Sequence, residues 1–147
     1  MMTTDITSFS GQYCFLSNFF PSGVSLDGVV YPTVEHAFQA AKSSDSLYRT
    51  AILANSSPGQ AKSLGRRVTL RPDWESVKIP IMADLVWLKF RLPHLRTRLL
   101  ATGDRQLVEG NDWNDTFWGV CNGVGRNELG KILMHTREHI KREEQAP

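Results

Sequence analysis

The chain has 147 residues, of which 41% are hydrophobic and 22% charged, with a net charge of +2; this is an ordinary soluble composition with apolar surface for one core. No apolar run approaches the length of a membrane span, and so mild a positive charge argues against a general nucleic-acid binder. Two cysteines, Cys14 and Cys121, and an N-terminal stretch with neither a basic start nor an apolar segment read as free thiols in a cytoplasmic protein.

Residues 1–8 read as a flexible tail, 9–144 as one domain and 145–147 as a short second tail. Val24-Ser25-Leu26 and Val29-Val30-Tyr31 flank Asp27-Gly28, a hairpin signal because Asp-Gly supplies the positive φ angles of a tight turn. Thr33 then caps a helix to about Ser43, with Val34, Ala37, Phe38 and Ala41 on one face and Glu35 with Gln39 on another. A short helix is predicted over Ser46 to Ala54. Ser57-Pro58-Gly59-Gln60 opens the next, with Ser as cap, Pro at the first position and Gln in a capping box. Gly65 ends it. Val68-Thr69-Leu70 is expected to be extended.

From Asp73 the sequence DWESVKIPIMADLVWLKFR predicts the longest helix, with Val77, Ile81, Leu85 and Leu88 as its buried stripe. Pro80 should kink or divide it. Pro93 starts another helix that ends near Gly103, and the last runs from about Asn127 to Glu144. The sum is a mainly α fold: a compact multi-helical single domain with a small early β-hairpin and minor β structure. The repeating βαβ pattern of a dinucleotide-binding sheet is missing.

Four features could carry chemistry. His135-Thr136-Arg137-Glu138-His139 fits H-x-x-E-H, but neither His36 nor His94 falls at a spacing that completes a zinc site, so no metal is expected. GVGRNELG, from Gly123 to Gly130, departs from the G-x-G-x-x-G fingerprint; it remains a glycine-rich turn where backbone could approach a ligand. Lys62, Arg66, Arg67 and Arg71 are either a solvated basic face or a corner that holds phosphate. Glu35 sits near the start of its helix, where the dipole favours a negative charge; an ionised carboxylate there suits a base, a nucleophile or a stabiliser of positive charge. Asp115 lies in NDWNDTFWG beside Trp113 and Trp118, where its plain role is to tie the loop through backbone amides. Trp74 follows Pro-Asp at a helix start, where its indole is as readily exposed as buried, and Trp87 reads as core. Aromatic faces that stack on a base, arginines for phosphate and a carboxylate facing an oxocarbenium ion at ribose C1′ form one reading among several.

The segments LSNFFPSGVSLDGVVYPTVEHAFQAAK, SSPGQAKSLGR, RPDWESVK, LRTRLLATGDRQLVEGNDWNDTFWG and GVGRNELGKILM follow one another between about Phe15 and Glu138. Through them the chain resembles the NADAR (YbiA-like) family of N-glycosidases. The resemblance implies a mainly helical domain that hydrolyses the bond between ribose C1′ and a nitrogen. The substrates it implies are ribosylaminopyrimidine phosphates of early riboflavin synthesis, or ADP-ribose attached to guanine, including guanine in nucleic acid. It places the catalytic pair on Glu35 and Asp115 and substrate binding on Trp74 and Trp118, with Asn18 and Gly119 lining the pocket. Lys62, Arg66 and Arg67 are expected to meet phosphate, and neither a metal nor an organic cofactor is required. Pro80 and Cys121 depart from the family pattern, the first affecting the helix and the second substrate choice. The alternative is a non-catalytic module that binds ADP-ribose or a related nucleotide.

Overall fold

The computed structural model describes residues 4–147. The chain forms two compact units: Asn18–Lys89, and the described residues up to Ser17 together with Phe90–Pro147. Helices dominate both, as the sequence predicts.

In the Asn18–Lys89 unit, β1 (Val24–Leu26) and β2 (Val29–Tyr31) pair antiparallel, with Val24 opposite Tyr31. Asp27 (φ 50°) and Gly28 (φ 82°) make the turn between them, the conformation that an Asp-Gly pair adopts at least cost. Helix α1 (Val34–Ala40) follows, and α2 (Ser46–Ala54), α3 (Pro58–Gly65), α4 (Trp74–Lys89) and the hairpin all pack around it except where loops intervene. Every residue of α1 is buried, Glu35 and Gln39 included. The expected single apolar face is therefore only part of it: a helix enclosed on all sides must house its polar residues as well.

The Thr33 and Ser57 caps form where the sequence places them, and Asp45 adds a cap that the sequence reading did not name. Thr33 Oγ1 accepts from the His36 amide at 3.0 Å, Asp45 Oδ1 from Leu47 at 3.2 Å and Ser57 Oγ from Gln60 at 3.3 Å. Gly65 is the last residue inside α3, and the cap is Arg66 in right-handed geometry, so that glycine does not serve as a left-handed helix stop. Val68-Thr69-Leu70 forms no strand.

Helix α4 departs from expectation in three ways. It is shorter than the 18-residue α6, and Pro80 does not divide it. Both Pro80 and Ser76, whose carbonyl the proline leaves without its helical donor, are exposed, so water satisfies the freed oxygen. Its buried face is Trp74, Met82, Leu85, Val86 and Lys89, while Val77 and Ile81 are half-buried and Leu88 is exposed. At about 100° per residue the predicted stripe and the buried set share Leu85 but are centred on directions rotated from one another, so Val77 and Leu88 fall at the edge of the buried face. Lys89 packs its ammonium 5.6 Å from the Phe20 ring centroid. Trp87 is half-buried rather than core.

In the other unit a 3-10 helix spans Gly11–Leu16, α5 spans Pro93–Ala101 with proline at its start, and α6 runs Glu128–Gln145. Leu129, Ile132, Leu133, Thr136, Arg137 and Ile140 make the buried face of α6, the spacing of an amphipathic helix. Arg137 donates to Thr102 Oγ1 (2.9 Å) and to the Arg105 carbonyl (2.8 Å); burial pulls its pKa below the usual value, opposed by Asp104 and Glu138. Two-residue strands β3 (Gly110–Asn111) and β4 (Val120–Cys121) pair in parallel. Within the expected N-terminal tail, residues 1–3 lie outside the described residues. Ile6 is buried and bridges Leu107.

Candidate functional site

Glu35 is held by its own helix start. Its amide donates to the Asn18 carbonyl at 3.1 Å, and Thr33 takes the next amide, from His36. His36 is fully buried and its Nε2 donates to the Asn55 carbonyl at 2.7 Å, since a carbonyl can only accept. The Thr33 hydroxyl, having accepted from the His36 amide, has its proton left for Nδ1 at 2.8 Å. That clamp fixes the first turn of α1 and leaves His36 a structural role.

The Glu35 carboxylate is only 7% exposed as a residue. Gln39, one turn on, donates Nε2 to Oε2 at 3.4 Å. Lys42 follows in the turn just beyond the helix. Burial pulls the Lys42 pKa down, Glu35 pushes it up, and Arg66 and Lys62 lower it further, so these four charges share one electrostatic neighbourhood. Lys42 Nζ donates to the Gly65 carbonyl at 3.4 Å and stands 6.0 Å from the Trp74 ring centroid. Trp74 is buried, 5.1 Å from the Phe38 ring, which decides the alternative the sequence left open.

Glu35, Asn18, Trp74, Lys62 and Arg66 thus come together. Gln39 and Lys42 join them, and the sequence reading gave neither a role. For Gln39 the signal was present, since the position four after Glu35 falls on its helix face; Lys42 lies in the turn beyond α1. Arg67 lines a hollow of about 260 Å³ with Asn55, Gln60, Ser63 and Leu64. Arg71 pairs with Asp73 through Nε and a second nitrogen at 2.6 and 3.0 Å. The basic run is therefore distributed over different surfaces.

Asp115, Trp118 and Gly119 stand together in the other unit, on the loop between β3 and β4. Asn111 organises the loop, accepting from the Asp115 amide at 3.0 Å and donating to the Asp115 carbonyl at 2.9 Å. Asp115 Oδ1 accepts from the Trp118 amide at 2.9 Å and the Phe117 amide at 3.2 Å. Among the described residues Oδ2 makes no hydrogen bond, so one oxygen ties the loop and the other is uncommitted. Gly119 is required by close approach: a Cβ there would lie 2.2 Å from the Glu109 carbonyl oxygen. Trp118 is half-buried with its ring edge-on to Phe117 at 4.8 Å, whereas Trp113 is exposed.

The start of α6 is closed by the same loop. The Glu128 and Leu129 amides donate to the Phe117 and Trp118 carbonyls at 3.1 and 3.0 Å, so these first helical donors face backbone rather than a phosphate. Asn127, at φ 54°, bridges the Glu109 amide and the Leu107 carbonyl through its side chain, both at 3.0 Å. The glycine-rich turn thus serves the loop's architecture. His135 and His139 have ring centroids 5.6 Å apart and are exposed. Among the described residues no three His, Cys, Asp or Glu side chains gather as a metal site. Cys121 is buried.

A buried carboxylate that acts on a nearby lysine, whose own pKa burial lowers, is the kind of pairing that active sites gather. The NADAR domain model matches residues 7–141. The chain is 42% identical over 137 residues to N-glycosidase YbiA of Escherichia coli, covering 90% of this chain and 85% of that one. It is 46% identical over 136 residues to N-glycosidase Npun_R5314 of Nostoc punctiforme, covering 87% and 85%. The NMR structure of the E. coli YbiA protein superposes with a TM-score of 0.86 at 39% identity, covering 99% of this chain and 91% of that one. The chain belongs to the NADAR domain family. It is a hydrolase of the N-glycosyl bond.

Proposed function

We propose that the chain hydrolyses the C1′–N bond of a ribosylated, phosphate-bearing base, with Glu35 as the carboxylate that faces the developing positive charge on the ribose. The observation that carries this is the buried Glu35, which acts on Lys42, a lysine that Arg66 and Lys62 also reach. Glu35 raises the Lys42 pKa, so by the same interaction Lys42 favours the ionised carboxylate. An anion so placed stabilises an oxocarbenium ion better than it donates a proton. In the balanced reaction the C1′–N bond breaks, water supplies the oxygen that joins C1′, and a water proton goes to the departing nitrogen.

Asp115 is assigned a catalytic role through its uncommitted oxygen, and Asn18 and Gly119 are assigned to substrate binding. Trp118 keeps accessible ring surface and is the better stacking platform for the base. Trp74, buried under Phe38 and Lys42, supports the wall behind Glu35. Lys62 and Arg66 are assigned to phosphate, with Arg67 outside their cluster as a more distant contributor. No metal or organic cofactor enters these steps. The free thiols Cys14 and Cys121 suit a reducing compartment, and we place the reaction in the cytoplasm.

Of the two substrate classes, ribosylaminopyrimidine phosphates are favoured over ADP-ribosylated guanine. Support comes from two relatives named as riboflavin biosynthesis proteins. VVA0006 of Vibrio vulnificus is 39% identical over 137 residues, 36% of its length, and the chloroplastic PYRR of Zea mays is 36% identical over 144 residues, 23% of its length. Mass spectrometry of the base released from a ribosylaminopyrimidine 5′-phosphate and from ADP-ribosylated guanosine separates the two. Release from the first, abolished in Glu35→Gln, is the expected result. Normal turnover by Glu35→Gln would remove Glu35 from the reaction. Tight binding with no release in either tube would leave a nucleotide-binding module.

A further inference from the structure

We propose that Gln39 is the positioning residue of the Glu35 carboxylate, and that residue 65 is glycine because the Gln39 carboxamide occupies the space a side chain would take. The proposal rests on the assignment of the reaction to Glu35. Three observations converge on it. Gln39 is 3% exposed and gives its Nε2 to Glu35 Oε2 at 3.4 Å. Its Oε1 is buried without a hydrogen-bond partner among the described residues. A Cβ on Gly65 would lie 1.8 Å from that Oε1, 2.7 Å from Cδ of the same side chain and 3.3 Å from Lys42 Nζ.

Backbone conformation does not explain the glycine. Gly65 is a residue of α3 and has no positive φ, so an alanine would suit the helix better on propensity alone. What excludes it is the amide lying against its Cα. The amide in turn cannot turn over, because that would set its oxygen against the Glu35 carboxylate and forfeit the donated bond. A buried amide oxygen left unpaired is costly, and proteins retain few of them. Here the cost accompanies a carboxylate fixed in one orientation. Gly65, Gln39 and Glu35 form a chain in which α3 sets the aim of the carboxylate on α1.

The test uses the full chain as wild type, Gln39→Ala, Gly65→Ala and the double variant. The readouts are kcat and KM on the ribosylaminopyrimidine 5′-phosphate and a carboxyl carbon-13 NMR titration of Glu35. Removing a donor that favours the ionised form should raise the Glu35 titration midpoint in each single variant. A misaimed carboxylate should lower kcat by roughly ten- to a hundredfold, with less change in KM. Because Gly65→Ala acts by displacing Gln39, the double variant should be no worse than Gln39→Ala alone. It should also melt at or above Gly65→Ala, since Gln39→Ala deletes the atoms that the new methyl strikes. If Gly65→Ala does not fold, Gln39→Ala and the double variant still decide the matter.

Single variants with wild-type kcat and an unmoved Glu35 midpoint, beside an inactive Glu35→Gln, would overturn the positioning role and leave the reaction assigned. Losses that multiply in the double variant would overturn the link through Gly65. An active Glu35→Gln would instead remove the functional reading, while the titration would still report whether Gln39 holds Glu35.

Discussion

Asp115 shows how one side chain can serve architecture and chemistry with different atoms. Its Oδ1 accepts from the amides of Phe117 and Trp118, a geometry that an asparagine oxygen reproduces without the charge. Asp115→Asn is therefore expected to keep the thermal midpoint close to wild type while lowering kcat. Asp115→Ala should lose stability as well, by about 1–2 kcal/mol for the orphaned amides. Calorimetry beside the release assay separates the two effects. Equal activity in Asp115→Asn and wild type would confine the residue to holding the loop. The loop-tying role was legible in the sequence, since aspartate two and three residues before free amides is a local device. The fate of Trp74 was not. Whether its indole is buried depends on Phe38 and Lys42, distant in the chain, and local spacing carries no information about either. Glu35 stood out by its place at a helix start, but its burial depends on the partners that enclose α1.

Elements with a local cause came out where the sequence put them. The Asp-Gly hairpin, the Thr33 and Ser57 caps and the limits of α2 each depend on a few neighbouring residues. The two-residue β3 and β4 were missed, because so short a pair has no period to detect and forms only once Asn111 has gathered the loop. The stripe of α4 was set on the wrong side of Leu85, because this apolar helix offers several candidate faces and its packing partners decide which one is buried. Pro80 was expected to kink or divide that helix, and α4 continues past it undivided. The position still carries a cost, since the proline ring removes one helical hydrogen bond and crowds the preceding turn. Alanine at this exposed site restores the bond and removes the clash, offset in part by a freer unfolded chain. Pro80→Ala should stabilise the protein by about 2 kcal/mol, read as a higher urea midpoint at unchanged slope, with kcat unaltered. A lower midpoint would mean that neighbouring side chains have been fitted to the proline.

At the scale of the whole molecule the charges divide into two kinds. Glu35 is buried and acts on the half-buried Lys42, whereas the ion pairs among the described residues lie mostly on the surface. Arg91 and Arg96 hold the Glu143 carboxyl below its usual range, Lys141 does the same for Asp104, and Arg71 for Asp73. A carboxylate whose folded pKa is depressed contributes stability above its unfolded pKa, near ~4, and loses it as pH falls through the folded value. Stability should therefore be level from neutral pH down to about 5 and decline below about 4. These groups are exposed, so each contribution is small and screened by salt. Urea denaturation at pH 7 and at pH 3, each at low and high salt, tests this directly. The acid loss should shrink at high salt if the surface pairs cause it. A loss that salt leaves untouched would trace instead to the enclosed carboxylate. Protonating Glu35 would weaken the bond it accepts from Gln39 Nε2, and a buried carboxylate is less screened by salt than a surface one. In that case Glu35→Gln would flatten the acid limb, and Glu143→Gln would not.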